Sequence, residues 1–139
     1  MKLALRKTAA TDATLLDKIG TWLIKARLVT RYPHAGIVIG EKLYHATGKR
    51  GLHVTEFHPE RWELIDIPGD DTDALRLFAE WDGAQYDWFS LLAFVGLRAR
   101  DSSRMYCYEW CYLALTGEHP KGRVTPETLL AVALKGPQK

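Results

Sequence analysis

Apolar and polar positions follow two different periods along this chain. Near the start, Leu15, Leu16, Ile19, Trp22, Leu23 and Ala26 recur at helical spacing behind Thr11 or Asp12. This predicts a capped helix over Ala13–Ala26. Lys2–Leu5, ahead of it, reads as a short strand. The period then shortens. Ala35–Ile39 is a compact, partly β-branched run that ends at Gly40-Glu41, and Leu43-Tyr44-His45-Ala46 follows at once. Two such runs around a short turn predict a β-hairpin. Leu52–Phe57 alternates as a further strand, and Trp62–Ile67 (WELIDI) as another, closed by Pro68-Gly69-Asp70. Strands joined by connections this short predict an antiparallel meander.

After residue 70 the helical period returns. Asp71–Trp81 is a predicted helix with Asp71 or Thr72 near its cap, and Asp87–Leu97 is another. Ser103–Leu115 is a third, ended by Gly117, and Pro126 opens a fourth that runs to Leu134. The order is helix, strand block, helices. The expected fold class is α+β: one domain over residues 1–139, with helices packed against a small antiparallel sheet.

Composition narrows the function classes. The 139 residues are 47% hydrophobic and 26% charged, an ordinary composition for one domain with a real core. Nineteen Lys and Arg against 17 Asp and Glu leave a net charge of +2, scattered rather than gathered in a basic arm. Nucleic acid is therefore not an expected partner. MKLALRKTAA lacks the apolar core of a signal peptide, so the chain is expected to be cytoplasmic as synthesised, with any delivery to the cell envelope by another route. The longest apolar stretch, around Trp88–Leu97, is too short to span a bilayer, so no integral membrane segment is expected.

Two cysteines, Cys107 and Cys111, lie four residues apart and stack on one face of a helix, a poor geometry for a disulfide. Reduced thiols are expected. Three segments then carry candidate chemistry. Arg31–Gly40 puts His34 at the mouth of a buried strand. Leu43–Ala46 returns His45 across the hairpin, close enough for one imidazole to orient the other. Ser102–Cys111 offers Ser102 or Ser103 as the cap of a helix whose first turns hold Cys107. A helix N-terminus and a nearby imidazolium both favour the thiolate, the nucleophilic form of cysteine. Free N–H groups in the helix's first turn can stabilise an oxyanion. Cys111, one turn deeper, is assigned to packing.

Simpler readings stand beside these. Cys107 alone reads as a small core residue, and His34 alone as a strand-edge histidine. His53 and His58 read as a solvated face, and so does His119 in the Gly117–Gly122 loop. Trp62, Trp81, Trp88 and Trp110 read as core aromatics. His34, His45 and Cys107 have the ligand types of a zinc site but not the spacing, so no metal or cofactor is expected.

Three of these motifs resemble the circularly permuted NlpC/P60 branch of papain-like enzymes, which includes YiiX-like proteins and the lecithin:retinol acyltransferase group. Pro33-His34-Ala35-Gly36-Ile37 is similar to that branch's Ser/Thr-His-x-Gly-Ile/Val strand entry. Cys107-Tyr108-Glu109-Trp110 is similar to its Cys-Ser-Glu-Trp/Leu helix start, and Tyr86-Asp87 to the Tyr-Asp pair ahead of that helix. Pro33 replaces the hydroxyl residue and Tyr108 the serine; neither change removes a catalytic atom. The resemblance covers residues 31–115. It implies Cys107 as nucleophile, His34 as base, His45 as third member, and the Tyr86 hydroxyl lining the oxyanion site. It further implies hydrolysis of an amide or ester through a thioacyl intermediate. Its first expected substrate is a peptidoglycan peptide; a lipid acyl ester or transacylation comes second. The rival expectation is a binding or inhibitor module that keeps the scaffold without turnover.

Overall fold

The computed structural model describes residues 1–6, 32–68, 70–85 and 105–135. The predicted helices Ala13–Ala26 and Asp87–Leu97, together with Tyr86, Ser102 and Ser103, lie outside these. The described strands are β1 (Lys2–Arg6), β2 (His34–Ile39), β3 (Lys42–Thr47), β4 (Gly51–Glu56) and β5 (Trp62–Asp66). The described helices are α1 (Asp71–Trp81), α2 (Cys107–Thr116) and α3 (Pro126–Lys135). This is the expected α+β composition.

The strands form one antiparallel sheet in the order β4-β3-β2-β1-β5. Only β2-β3-β4 is the predicted meander. β5 does not pair with β4; it crosses to the far side of β1, after a single 3₁₀ turn at Pro59–Arg61. The reason lies in β1. Its Leu3, Ala4 and Leu5 are apolar toward both faces and fully buried, so the strand is most stable with a neighbour on each side. β2 and β5 supply those neighbours, through the pairs Leu5↔Ala35 and Leu5↔Glu63.

Alternation divides the sheet into two faces. Leu3, Leu5, Ala35, Ile37, Tyr44, Ala46 and Leu52 join the main core, which includes buried residues of all three helices. Ala4, Val38 and Leu43 form a second cluster on the opposite face, with Phe57 and Trp62 packed against it. α1 buries Ala74, Leu77 and Phe78 at helical spacing, and the Asp70 carboxylate caps it by accepting from the Thr72 N–H at 2.8 Å. The Phe78 ring sits between those of Tyr44 (4.7 Å) and Trp110 (5.8 Å).

α2 is the central helix. It lies against β2 and β3 and touches both α1 and α3. Its buried residues run from Cys107 to Leu115 on nearly every side, as expected for a helix packed all round. Trp110 ties it to the hairpin by donating Nε1–H to the Tyr44 carbonyl at 2.8 Å. Gly117, at φ 73°, ends the helix as predicted, its N–H bonded to the Leu113 carbonyl at 2.8 Å. No described helix is long and apolar enough to cross a membrane.

Candidate active site

The helix that carries Cys107 starts later than its sequence suggests. Met105 and Tyr106 are not helical, and Tyr106 is the N-cap, with extended backbone at φ −101°, ψ 169°. A helix from Ser103 is therefore corrected. The residue that sets the new boundary is Glu109, whose carboxylate turns back to accept from the Tyr106 N–H at 3.4 Å. A carboxylate here satisfies an orphan donor and lies favourably in the helix dipole. The Tyr106-x-x-Glu109 spacing carried this signal, but an aromatic N-cap hid it. The Tyr106 hydroxyl anchors the cap elsewhere, donating to the Val124 carbonyl and accepting from the Val124 N–H, both at 3.1 Å.

This start makes Cys107 the first residue of α2. The first intrahelical bond runs from the Trp110 N–H to the Tyr106 carbonyl at 3.1 Å. The N–H groups of the first turn therefore precede the helical ladder, where orphan donors and the positive end of the dipole coincide. Neither Cys107 nor Cys111 is in a disulfide, and both are buried. Burial, then the neighbouring Cys107, pushes the Cys111 thiol well above its ordinary range, which keeps it protonated. Burial likewise raises the Tyr106 and Tyr108 phenols.

The hairpin brings His34 and His45 together. Val38 pairs with Leu43 and Ile37 with Tyr44, which leaves His34 and His45 diagonal on one face. Their rings hydrogen-bond, His34 Nε2 to His45 Nδ1, at 2.9 Å. Gly36 makes room for this. A Cβ at that position would lie 3.1 Å from the His45 Cβ and 2.7 Å from the Leu43 Cδ1.

Two neighbours extend the pair. Thr55 on β4 meets the other nitrogen of His45, Oγ1 to Nε2, at 3.3 Å. His53, opposite His45 in the β3–β4 register, lies with its ring 4.5 Å from the His45 ring. His53 is half-buried, and its Nδ1 bonds the Gly51 carbonyl at 2.8 Å. It is therefore not the solvated-face histidine expected from sequence. The alternation that places His45 also places His53 and Thr55, once the β4 register is known. On the other side of His34, the Trp62 ring lies 5.8 Å away, and the Arg6 guanidinium sits over Trp62 at 5.6 Å.

This surrounding decides the charge on His45. Burial first, then the charges of His34, His53, Arg6 and Arg50, hold it down to about 2. His45 is thus a neutral imidazole at any physiological pH. Burial also lowers His53.

Cys107 and the histidine pair are placed on different faces of the sheet. Cys107 belongs to the apolar cluster on the helix-covered face, whereas alternation turns His34 and His45 to the opposite face with Val38 and Leu43. A link between the two runs through the entry of β2, where the Tyr108 hydroxyl donates to the Tyr32 carbonyl. The first turn of α2 is therefore docked at the His34 end of the strand. The Tyr32 hydroxyl in turn donates to the Glu63 carboxylate at 2.7 Å.

Tyr86 lies outside the described residues. His58 and His119 are exposed, and the His119 ring packs against Trp81 at 4.7 Å. Among the described residues, no group of three His, Cys, Asp or Glu side chains is arranged to hold a metal ion. Compared with protein-family models, with curated proteins and with solved structures, the chain gives no significant match.

Proposed function

We propose that the chain is a thiol hydrolase of papain-like, permuted NlpC/P60 type, with Cys107 as nucleophile, His34 as base and His45 as the residue that orients the base. The observation that carries this reading is the 2.9 Å bond between His34 Nε2 and His45 Nδ1. It commits Nε2 of His34 to a neutral, buried partner, so proton transfer falls to Nδ1. A base whose second nitrogen is held by a fixed third group is the triad arrangement. Cys107 at the first position of α2 supplies the other half, a thiol at the positive end of a helix.

The chemistry follows in two stages. His34 takes the thiol proton as the sulfur attacks an amide or ester carbonyl. The tetrahedral oxyanion is met by N–H groups of the first turn of α2, with the Tyr86 hydroxyl as a further donor. The C–N or C–O bond then breaks, and His34 returns its proton to the leaving amine or alcohol. Water, deprotonated by His34, attacks the thioester and frees the acid and the thiol. This chemistry requires thiol and base to meet around the entry of β2, near residues 32–34, because the strand itself separates its two faces. The favoured substrate is a peptidoglycan peptide amide, from the motif resemblance; a lipid acyl ester is second.

A catalytically silent binding scaffold is the other reading, and one observation favours it: Cys107 is only 1% exposed. Alkylation separates the two. An active thiolate reacts with iodoacetamide well below pH 8.5, the ordinary thiol value, whereas a buried protonated thiol stays inert. Turnover of peptidoglycan stem peptides and of an activated acyl ester should vanish in Cys107→Ala and persist in Cys111→Ala, with both folded by circular dichroism. Wild-type turnover in Cys107→Ala would sink the assignment.

A further inference from the structure

His45 is neutral, so it offers one donor and one acceptor. Both its nitrogens are engaged: Nδ1 with His34 at 2.9 Å and Nε2 with Thr55 Oγ1 at 3.3 Å. The two contacts are therefore coupled through one ring. If the Nε2 proton of His45 points to Thr55, then Nδ1 is a lone pair and accepts from His34. If Thr55 donates instead, His45 carries its proton on Nδ1 and must donate to His34.

Only the first arrangement tolerates a protonated His34. An imidazolium donates from both nitrogens, so its partner across Nε2 has to accept. His45 then carries its proton on Nε2, inside a buried ring, and that proton needs an acceptor. His53 does not provide it. Its bonded Nδ1 faces the Gly51 carbonyl, which can only accept, so the His53 proton lies there, and its ring packs against His45 tilted by 42°, whereas the bonds of His45 run to His34 and Thr55. Among the described residues, the Thr55 hydroxyl is the oxygen bonded to that nitrogen, at 3.3 Å.

We propose that Thr55 is a positioning residue for the base. Its hydroxyl accepts the Nε2 proton of His45 and so fixes the His45 tautomer that can receive a hydrogen bond from protonated His34. The inference rests on the thiol-hydrolase reading for its catalytic meaning, but the tautomer and the His34 titration exist without turnover. Among the described residues, the charged and titratable groups around this row are Arg6 on β1, His34 on β2, His45 on β3, Arg50 in the β3–β4 turn, His53 on β4 and, acting on His53, Asp82 just after α1. A Thr55 substitution changes none of their charges.

Thr55→Val keeps the shape and β-branching and removes the acceptor. It leaves a buried N–H unpaired whenever His34 is protonated. That weakens proton binding at His34 by about tenfold, a downward shift of its titration midpoint of about one pH unit. Thr55→Ser restores the oxygen and should restore the midpoint. The experiment is nitrogen-15 NMR of histidine-labelled full-length protein in the Cys107→Ala background, followed from pH 4.5 to 9. Expected are the Nε2–H tautomer at His45, a lowered His34 midpoint in Thr55→Val and rescue in Thr55→Ser. An Nδ1–H tautomer at His45, or an unchanged His34 midpoint in Thr55→Val, overturns the proposal. Neither result depends on activity, so a failed hydrolase assignment is scored separately by the Cys107→Ala turnover assay.

Discussion

Gly36→Ala tests the packing that brings the two imidazoles together. Gly36 lies in β2 with no left-handed backbone, so alanine meets no conformational penalty of that kind. The cost is steric. The new methyl would sit 2.7 Å from the Leu43 Cδ1, 3.1 Å from the His45 Cβ and 3.2 Å from the Tyr44 carbonyl oxygen. The first contact is with the tip of a side chain, but Leu43 is 3% exposed and has little room to rotate. The other two belong to β3 itself, so relief requires β3 to move away from β2 by a few tenths of an ångström. Overpacking of this kind costs about 1–3 kcal/mol. With a urea dependence of about 1–3 kcal/mol per molar, the unfolding midpoint should fall by roughly 1 M. The same movement lengthens the 2.9 Å His34–His45 bond, so turnover should fall more than stability alone explains. Gly122→Ala is the control, because its added methyl would meet nothing within 4 Å and its backbone is not left-handed. If Gly36→Ala unfolds at the wild-type urea midpoint while Gly122→Ala does the same, the close-packing account of this glycine is wrong.

Two further predictions concern stability. Burial holds His45 down to about 2, and it also lowers His53. The unfolded chain takes up these protons near pH 6.5, whereas the native chain takes them up only at lower pH. Their contribution is complete above pH 6.5 and is lost as pH falls from there toward 2, with a slope approaching about 1.4 kcal/mol per pH unit per proton. Urea midpoints measured from pH 7.5 to 4.5 should fall steadily, and His45→Gln should flatten the trend; an unchanged slope in the variant argues against a neutral His45. Gly51→Ala should be more damaging than Gly36→Ala. Its φ is +67° and its added methyl would lie 2.1 Å from the Ala84 carbonyl oxygen, which accepts from the Leu52 N–H at 2.9 Å. Left-handed strain and backbone overlap together cost about 2–5 kcal/mol, and a melting temperature within a degree of wild type would contradict this.

Much of the fold was legible because its signals are local. The hairpin around Gly40-Glu41, the helix over Asp71–Trp81 and the Gly117 stop all depend on residues within a few positions of each other. Strand order was not legible, because nothing near WELIDI says that its partner is a strand some sixty residues earlier. The candidate site divides in the same way. The His34–His45 diagonal followed from one hairpin. His53 and Thr55 were missed as members because their place depends on the β3–β4 register, where His45 pairs with His53. Alternation also held information left unused. His34 and Ile37 have opposite parity on β2, so the residue that packs under α2 and the imidazole could not share a face.

The central position of β1 has a kinetic consequence. The β2-β3-β4 hairpins close short loops and can form on their own within microseconds. The His34–His45–His53 row is therefore assembled from contacts of low contact order. β1 is made first but is completed late: its partner strands lie far along the chain, and both must be present before its Leu3 and Leu5 are buried. Non-local pairing of this kind slows folding, and an unpaired apolar strand waiting for its neighbours is exposed to intermolecular pairing meanwhile. Refolding should thus show a fast phase that builds the imidazole row and a slower one that inserts β1 and completes the core beneath the thiol helix.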